Sequence, residues 1–203
     1  MKIICIGRNY REHAKEMNSP VPDKPVFFFK PDCCLLTNNK PFFYPEFTKN
    51  LHYELEIVLK LNRLGRNIAP QFAHRYYNEI GLGVDFTARD LQEECKAKGL
   101  PWEIAKAFDA SAPISHFIPK VEIPNLGAID FKLEKNGEVV QHGNSSDLIF
   151  SFDTLISYVS QFVTLKIGDL IYTGTPAGVG PVQIGDRLKA YLNDQQMMDF
   201  YVR

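Results

Sequence analysis

The segment Leu51-His52-Tyr53-Glu54-Leu55-Glu56-Ile57-Val58-Leu59 constrains the fold most: every odd position is apolar, while His52, Glu54 and Glu56 take even ones. Side chains of an extended chain alternate faces, so this pattern predicts a strand with one face in a core. Glu54 and Glu56 then project together, roughly 6.5–7 Å apart at about 3.3 Å rise per residue. A solvent-facing strand shows the same alternation and disperses the charge into water. A hard divalent cation such as Mg2+ or Mn2+ relieves the repulsion differently, by taking both carboxylates as oxygen ligands. Asp85, at the end of Gly81-Leu82-Gly83-Val84-Asp85, offers a third carboxylate.

Further strands are predicted for residues 1–7, 26–29 (a buried apolar run), 80–84, 170–173, 187–192 and 198–202. Asn136-Gly137, between two extended runs over 131–140, is a strong hairpin signal. Helices are fewer. Residues 10–17 follow Asn9 as a candidate cap, 72–79 form a short helix, and 153–162 follow Ser151. Thr87 and Asp90 resemble a capping box, and Gly99 a stop, for a helix over 87–98. Strands outnumber helices without alternating with them, which argues against a doubly wound parallel sheet. The expectation is a β-rich α+β protein, a roll or sandwich with a few peripheral helices, in a single domain over residues 1–203.

Charge narrows the function. The 23 basic and 24 acidic residues nearly cancel and no basic run stands out, so neither nucleic acid nor an anionic membrane is an expected partner. No stretch approaches 18 continuous apolar residues. Cys5, Cys33, Cys34 and Cys95 show neither zinc spacing nor a disulfide framework, so a reducing compartment and a cytoplasmic location are expected.

Three other groupings could carry chemistry. His13 and Glu16 lie at i, i+3, where a carboxylate can orient an imidazole for water activation; taken alone, the segment fits better the solvated face of a highly charged short helix. Lys106, among small and apolar neighbours, suits an ammonium in a cleft or a lysine snorkelling at the surface. The Gly174-Thr175-Pro176-Ala177-Gly178-Val179-Gly180 loop could offer amides to an anion but matches neither phosphate-binding glycine motif.

Gly7-Arg8-Asn9-Tyr10 with His13 and Glu16, Tyr53-Glu54-Leu55-Glu56, Val84-Asp85-Phe86-Thr87-Ala88-Arg89-Asp90-Leu91-Gln92, Pro101-Trp102 with Ala105-Lys106, and Thr173-Gly174-Thr175-Pro176 occur in one order along the chain. In that order they resemble the fumarylacetoacetate hydrolase family, nearest its small acylpyruvate hydrolase and oxaloacetate decarboxylase branch. The resemblance implies a fumarylacetoacetate-hydrolase-type catalytic domain and a homodimer. It implies that Glu54, Glu56 and Asp85 bind Mg2+ or Mn2+, leaving sites for the carboxylate and oxo oxygens of a small 2-oxo or 2,4-dioxo acid. Lys106 and Gln92 would act in the same pocket, and Arg8, Lys30, Arg89 and Thr175 would contact substrate anions. His13 and Glu16 would form a dyad on a short mobile lid near residues 10–17. Acylpyruvate hydrolysis, oxaloacetate decarboxylation or tautomerisation through a metal-bound enolate is the leading expectation. The alternatives are a hydratase or isomerase/decarboxylase of aromatic degradation, on 2-hydroxypentadienoate or in the homoprotocatechuate pathway, and a non-catalytic metal-stabilised binding module.

Overall fold

The computed structural model describes residues 1–203. Its strands are β1 (Ile3–Gly7), β2 (Val26–Lys30), β3 (Leu35–Leu36), β4 (Leu51–Tyr53), β5 (Leu55–Leu61), β6 (Tyr77–Val84), β7 (Thr87–Ala88), β8 (Ala112–Pro113), β9 (Ile118–Pro119), β10 (Asp130–Lys135), β11 (Glu138–Asn144), β12 (Leu170–Tyr172), β13 (Gly180–Pro181), β14 (Arg187–Leu192) and β15 (Gln195–Tyr201). Five helices, α1 (Arg11–Glu16), α2 (Pro70–Ala73), α3 (Arg89–Lys98), α4 (Glu103–Lys106) and α5 (Phe152–Phe162), are set between them. The protein is α+β and rich in strand, as the patterning implied. No helix is long and apolar enough to cross a membrane.

The central sheet runs β2-β1-β12-β5-β6-β9 and is mixed, since β1 and β12 pair in parallel while β12, β5 and β6 pair antiparallel. A four-stranded antiparallel sheet, β11-β10-β14-β15, packs across the main core. Leu55, Ile57, Leu59, Leu82 and Ile171 of the first sheet join Phe131, Leu133, Leu188 and Phe200 of the second in one apolar cluster. The opposite face of the central sheet is covered too. Ile3, Cys5, Val58 and Tyr172 form a smaller cluster there with Ala112 and Ile114. Period-2 alternation assigns Glu56 and Val58 to this second face, so Glu56 is buried against protein rather than turned to water. Gly83, opposite Glu56 in the β5–β6 register, makes room for Tyr172: a Cβ on Gly83 would fall 2.3 Å from that ring.

Several local expectations are met and several corrected. The Asn136-Gly137 turn has both residues at positive φ, 56° and 90°, as a tight hairpin with right-handed strand twist requires. Ser151 caps α5 by accepting from the Thr154 N–H. The 51–59 run breaks at Glu54, between β4 and β5. The 72–79 helix is replaced by the single turn of α2, with β6 beginning at Tyr77. Thr87 does not cap α3: Thr87 and Ala88 pair with β4, and Asp90 instead accepts from Thr48 Oγ1 and the Lys49 N–H. Gly99 ends α3 in the left-handed region, as expected. Asn9 does not cap α1. Its side chain is fully buried and tied to Phe150 and to the Thr173 carbonyl. The buried run at 26–29 is an edge strand with Phe29 38% exposed, its rings packing instead against one another and against α5.

Candidate active site

The end of β4, the start of β5 and the end of β6 deliver Glu54, Glu56 and Asp85 to one point. Each offers an oxygen within 4.8 Å of the others, and all three residues are buried. The Asp85 N–H donates to the Glu54 carbonyl at 2.8 Å, which fixes the two backbones beside each other.

Buried carboxylates without counter-charges would protonate or disrupt the fold. Three cations prevent this for Glu54 and Asp85. Lys106 Nζ sits 2.9 Å from Glu54 Oε2 and 2.8 Å from Asp85 Oδ2. An Arg89 guanidinium N–H donates to Glu54 Oε1 at 2.6 Å, and Lys30 Nζ lies 2.7 Å from Asp85 Oδ1. The charge is shared unevenly. Burial would raise the Glu54 carboxyl, but the Lys106 ammonium and the Arg89 guanidinium outweigh it and hold it well below the usual range. Burial, together with the Asp85 and Glu54 charges, pushes Glu56 well above its ordinary value. Only Glu56 Oε2 has a donor, the Gly174 N–H at 2.6 Å. Asp85 Oδ1, though beside Lys30, accepts no well-aligned hydrogen bond. An all-oxygen trio with such under-coordinated atoms fits a hard divalent cation.

The residues expected to share the site divide into two groups. His13, Glu54, Glu56, Asp85, Arg89, Gln92, Lys106, Arg8 and Thr175 line one cleft. Lys30 does not line it. Behind Asp85, its ammonium is consumed by that carboxylate, the Phe86 and Ser111 carbonyls and the Ser111 hydroxyl. Glu16 lies outside the lining but holds His13, with Nδ1 3.1 Å from Glu16 Oε2. The loop amides do meet an anion, and it is protein: Gly178 N–H donates to Glu16 Oε1 at 3.0 Å, as Gly174 N–H does to Glu56.

Hydrogen-bond accounting fixes what the walls present. Gln92 Oε1 accepts from Arg89 at 2.6 Å, so its NH2 is left as the donor. Thr175 Oγ1 accepts from Gln141 Nε2 at 2.9 Å, which frees the hydroxyl hydrogen for a ligand. Gln141, which the sequence did not single out, also accepts from the Leu55 N–H and donates to the Pro176 carbonyl, joining β11, β5 and the glycine loop. Lys96, Met17 and Phe28 are further lining residues that motif reasoning missed, and Trp102, part of the Pro101-Trp102 motif, lines the cleft without having been given a role. Lys96 was detectable, since Arg89, Gln92 and Lys96 fall at i, i+3 and i+7 on one face of α3.

A buried acidic trio on a β-rich scaffold, ringed by donors, defines a site for a divalent cation and a small oxygen-rich anion. Residues 2–202 match the fumarylacetoacetate (FAA) hydrolase C-terminal family. The chain belongs to this family, and is an enzyme of it. It is 44% identical over 200 residues to human mitochondrial oxaloacetate tautomerase FAHD1, covering 98% of this chain and 90% of that protein. It is 41% identical over 189 residues to mitochondrial oxaloacetate decarboxylase of Dictyostelium discoideum, covering 93% and 87%. Among solved structures it is similar to Pseudomonas aeruginosa fumarylpyruvate hydrolase in complex with Mn2+ and pyruvate, with a TM-score of 0.94, 36% identity, and 100% and 89% of the two chains covered. The expected cytoplasmic location is corrected by these comparisons: the curated relatives are named as mitochondrial.

Proposed function

We propose that this chain is a metal-dependent enzyme in which Glu54, Glu56 and Asp85 hold Mg2+ or Mn2+, and that it acts on short 2-oxo acids, oxaloacetate first among them. The observation that carries the reading is the convergence of three buried carboxylates beside a cleft lined by unspent donors. Two relatives at 41% and 44% identity carry oxaloacetate activities in their names, which favours this reading over a non-catalytic module. Tautomerisation and decarboxylation of oxaloacetate, like hydrolytic cleavage of an acylpyruvate, all place negative charge on the 2-oxo oxygen as a bond at C3 breaks. A divalent cation at the trio supplies Lewis acidity to that oxygen.

The chain's own residues bind and move protons. Gln92 Nε2 and the Thr175 hydroxyl orient the 1-carboxylate. Burial disfavours the Lys106 ammonium, but the Asp85 and Glu54 charges together outweigh it and raise its pKa, so Lys106 stays charged and stabilises the developing oxyanion. Glu16 can only accept, so His13 carries its proton on Nδ1 and turns a basic Nε2 to the cleft. That nitrogen takes a proton from C3 in tautomerisation, or from water in acylpyruvate hydrolysis. Decarboxylation needs neither, since CO2 leaves from the far carboxylate. We further propose that α1 acts as the lid of this single domain, carrying His13 and Met17 over the cleft, and that the chain forms a homodimer, for which light scattering should return twice the chain mass.

Glu56→Gln tests the site. Metal-dependent turnover of oxaloacetate and calorimetric Mn2+ binding should both disappear while the fold persists; retained activity would refute the ligand assignment.

A further inference from the structure

The inner cations are spent. Lys30, Lys106 and Arg89 pair with Glu54 and Asp85, so three positive charges face the three carboxylates before any divalent cation adds two more. Two further cations line the same cleft, Arg8 and Lys96, and neither engages any carboxylate of the protein in an ion pair. They are held there rather than left to drift. Lys96 extends the α3 stripe of Arg89 and Gln92 outward by one turn, and its ammonium lies 5.7 Å from the centroid of the Trp102 ring. Arg8 follows directly on β1 in the left-handed region, φ 59°, a conformation that costs a non-glycine residue energy and recurs at functional sites. The two are close enough to feel each other: burial first, then the Arg89 and Arg8 charges, lower the Lys96 pKa. Two like charges lining one cleft without a carboxylate partner from the protein, where Gln92 and Thr175 already offer donors for one carboxylate, call for a second anionic group on the ligand.

We infer that Arg8 and Lys96 receive the distal carboxylate of a dicarboxylic 2-oxo acid, and that Lys96 is a specificity-determining residue selecting such substrates over monocarboxylic ones. The inference rests on the 2-oxo acid reading above and adds to it the side chains that read the substrate's second carboxylate. A monocarboxylic ligand of equal length would lay a methyl group against the half-buried Arg8 and the more exposed Lys96 and leave both without the partner that a carboxylate supplies. Phe28 and Trp102 then flank the intervening carbon chain.

Oxaloacetate and 2-oxobutyrate are a matched pair, differing only in a terminal carboxylate against a methyl group. The test compares KM for oxaloacetate with the competitive inhibition constant for 2-oxobutyrate, in Mn2+, for the wild type, Lys96→Gln, Lys96→Arg and Arg8→Gln. The wild type should favour oxaloacetate. Lys96→Gln and Arg8→Gln should each shrink that preference by roughly 10- to 100-fold, the scale of a lost charge-assisted hydrogen bond, and Lys96→Arg should restore most of it. Raised salt should weaken oxaloacetate binding in the wild type more than in Lys96→Gln. If the glutamine variants weaken both ligands equally, or neither, this inference fails while the 2-oxo acid reading stands. If the wild type neither turns over oxaloacetate nor binds 2-oxobutyrate, both fail together.

Discussion

Lys106→Met separates the two tasks assigned to Lys106, because it removes the charge while keeping most of the side-chain volume. The Lys106 ammonium bridges Glu54 and Asp85 at 2.9 and 2.8 Å, with all three groups buried. Deleting one partner of a buried ion pair costs about 3–5 kcal/mol, since the other charge is left without compensation. For a chain of this size each kcal/mol lowers the melting midpoint by about 2–4 °C, so a fall of roughly 6–20 °C is expected in EDTA. Three carboxylates then face only Lys30 and Arg89, and the excess negative charge favours cation binding. Mn2+ should therefore raise the midpoint of Lys106→Met by more than it raises that of the wild type, although turnover stays low. Circular dichroism melts in EDTA and in Mn2+ measure both quantities. A variant as stable as the wild type without metal, or no more responsive to Mn2+, would refute the account of how the acidic trio is compensated.

Other perturbations bear on the dyad and the scaffold. Gly178→Ala places a Cβ 2.5 Å from the Val140 carbonyl at φ +97°, so the loop must shift and release Glu16; acylpyruvate hydrolysis should fall at least about tenfold while Mn2+ affinity is kept. His13→Ala should impair acylpyruvate hydrolysis far more than oxaloacetate decarboxylation, and equal losses in steady-state assays would count against water activation. Burial opposes ionisation of Asp90, but hydrogen bonds from Thr48 and from the Lys49 and Leu91 N–H groups prevail and lower its pKa in the folded protein. A group depressed on folding stabilises fully above its unfolded value and loses that contribution as pH falls through the folded one. Asp90→Asn should therefore be less stable than the wild type at pH 7 in urea titrations, with the gap closing at pH below about 3.9.

Much of the architecture is local in origin and so legible in the chain. The Asn136-Gly137 hairpin and the Ser151 cap depend on residues within a few positions of one another. The acidic trio was legible in part, because alternation sets Glu54 and Glu56 two residues apart, but nothing in the pattern tells a buried face from a wet one. The second sheet face is covered by distant segments, Ala112, Ile114 and Tyr172 among them, and that covering turns an apparent solvent-facing strand into a site. Misread elements share this cause. Asp90 is a plausible capping-box acid until Thr48 and Lys49, about forty residues away, claim its carboxylate. Asn9 looks like a cap until Phe150 and Thr173 claim its amide. Lys30 was expected at the substrate and instead neutralises Asp85 from behind, a distinction that depends on the side from which β2 approaches.

Crystals grown with Mn2+ and oxalate, a planar mimic of pyruvate enolate, test the central claim most directly through the anomalous signal of the metal. The account predicts one Mn2+ per chain, about 2.0–2.2 Å from oxygens of Glu54, Glu56 and Asp85, with oxalate completing its coordination beside Lys106 and Gln92. An anomalous map with no peak at the trio, or a cation enclosed wholly by protein oxygens with oxalate elsewhere, would contradict it.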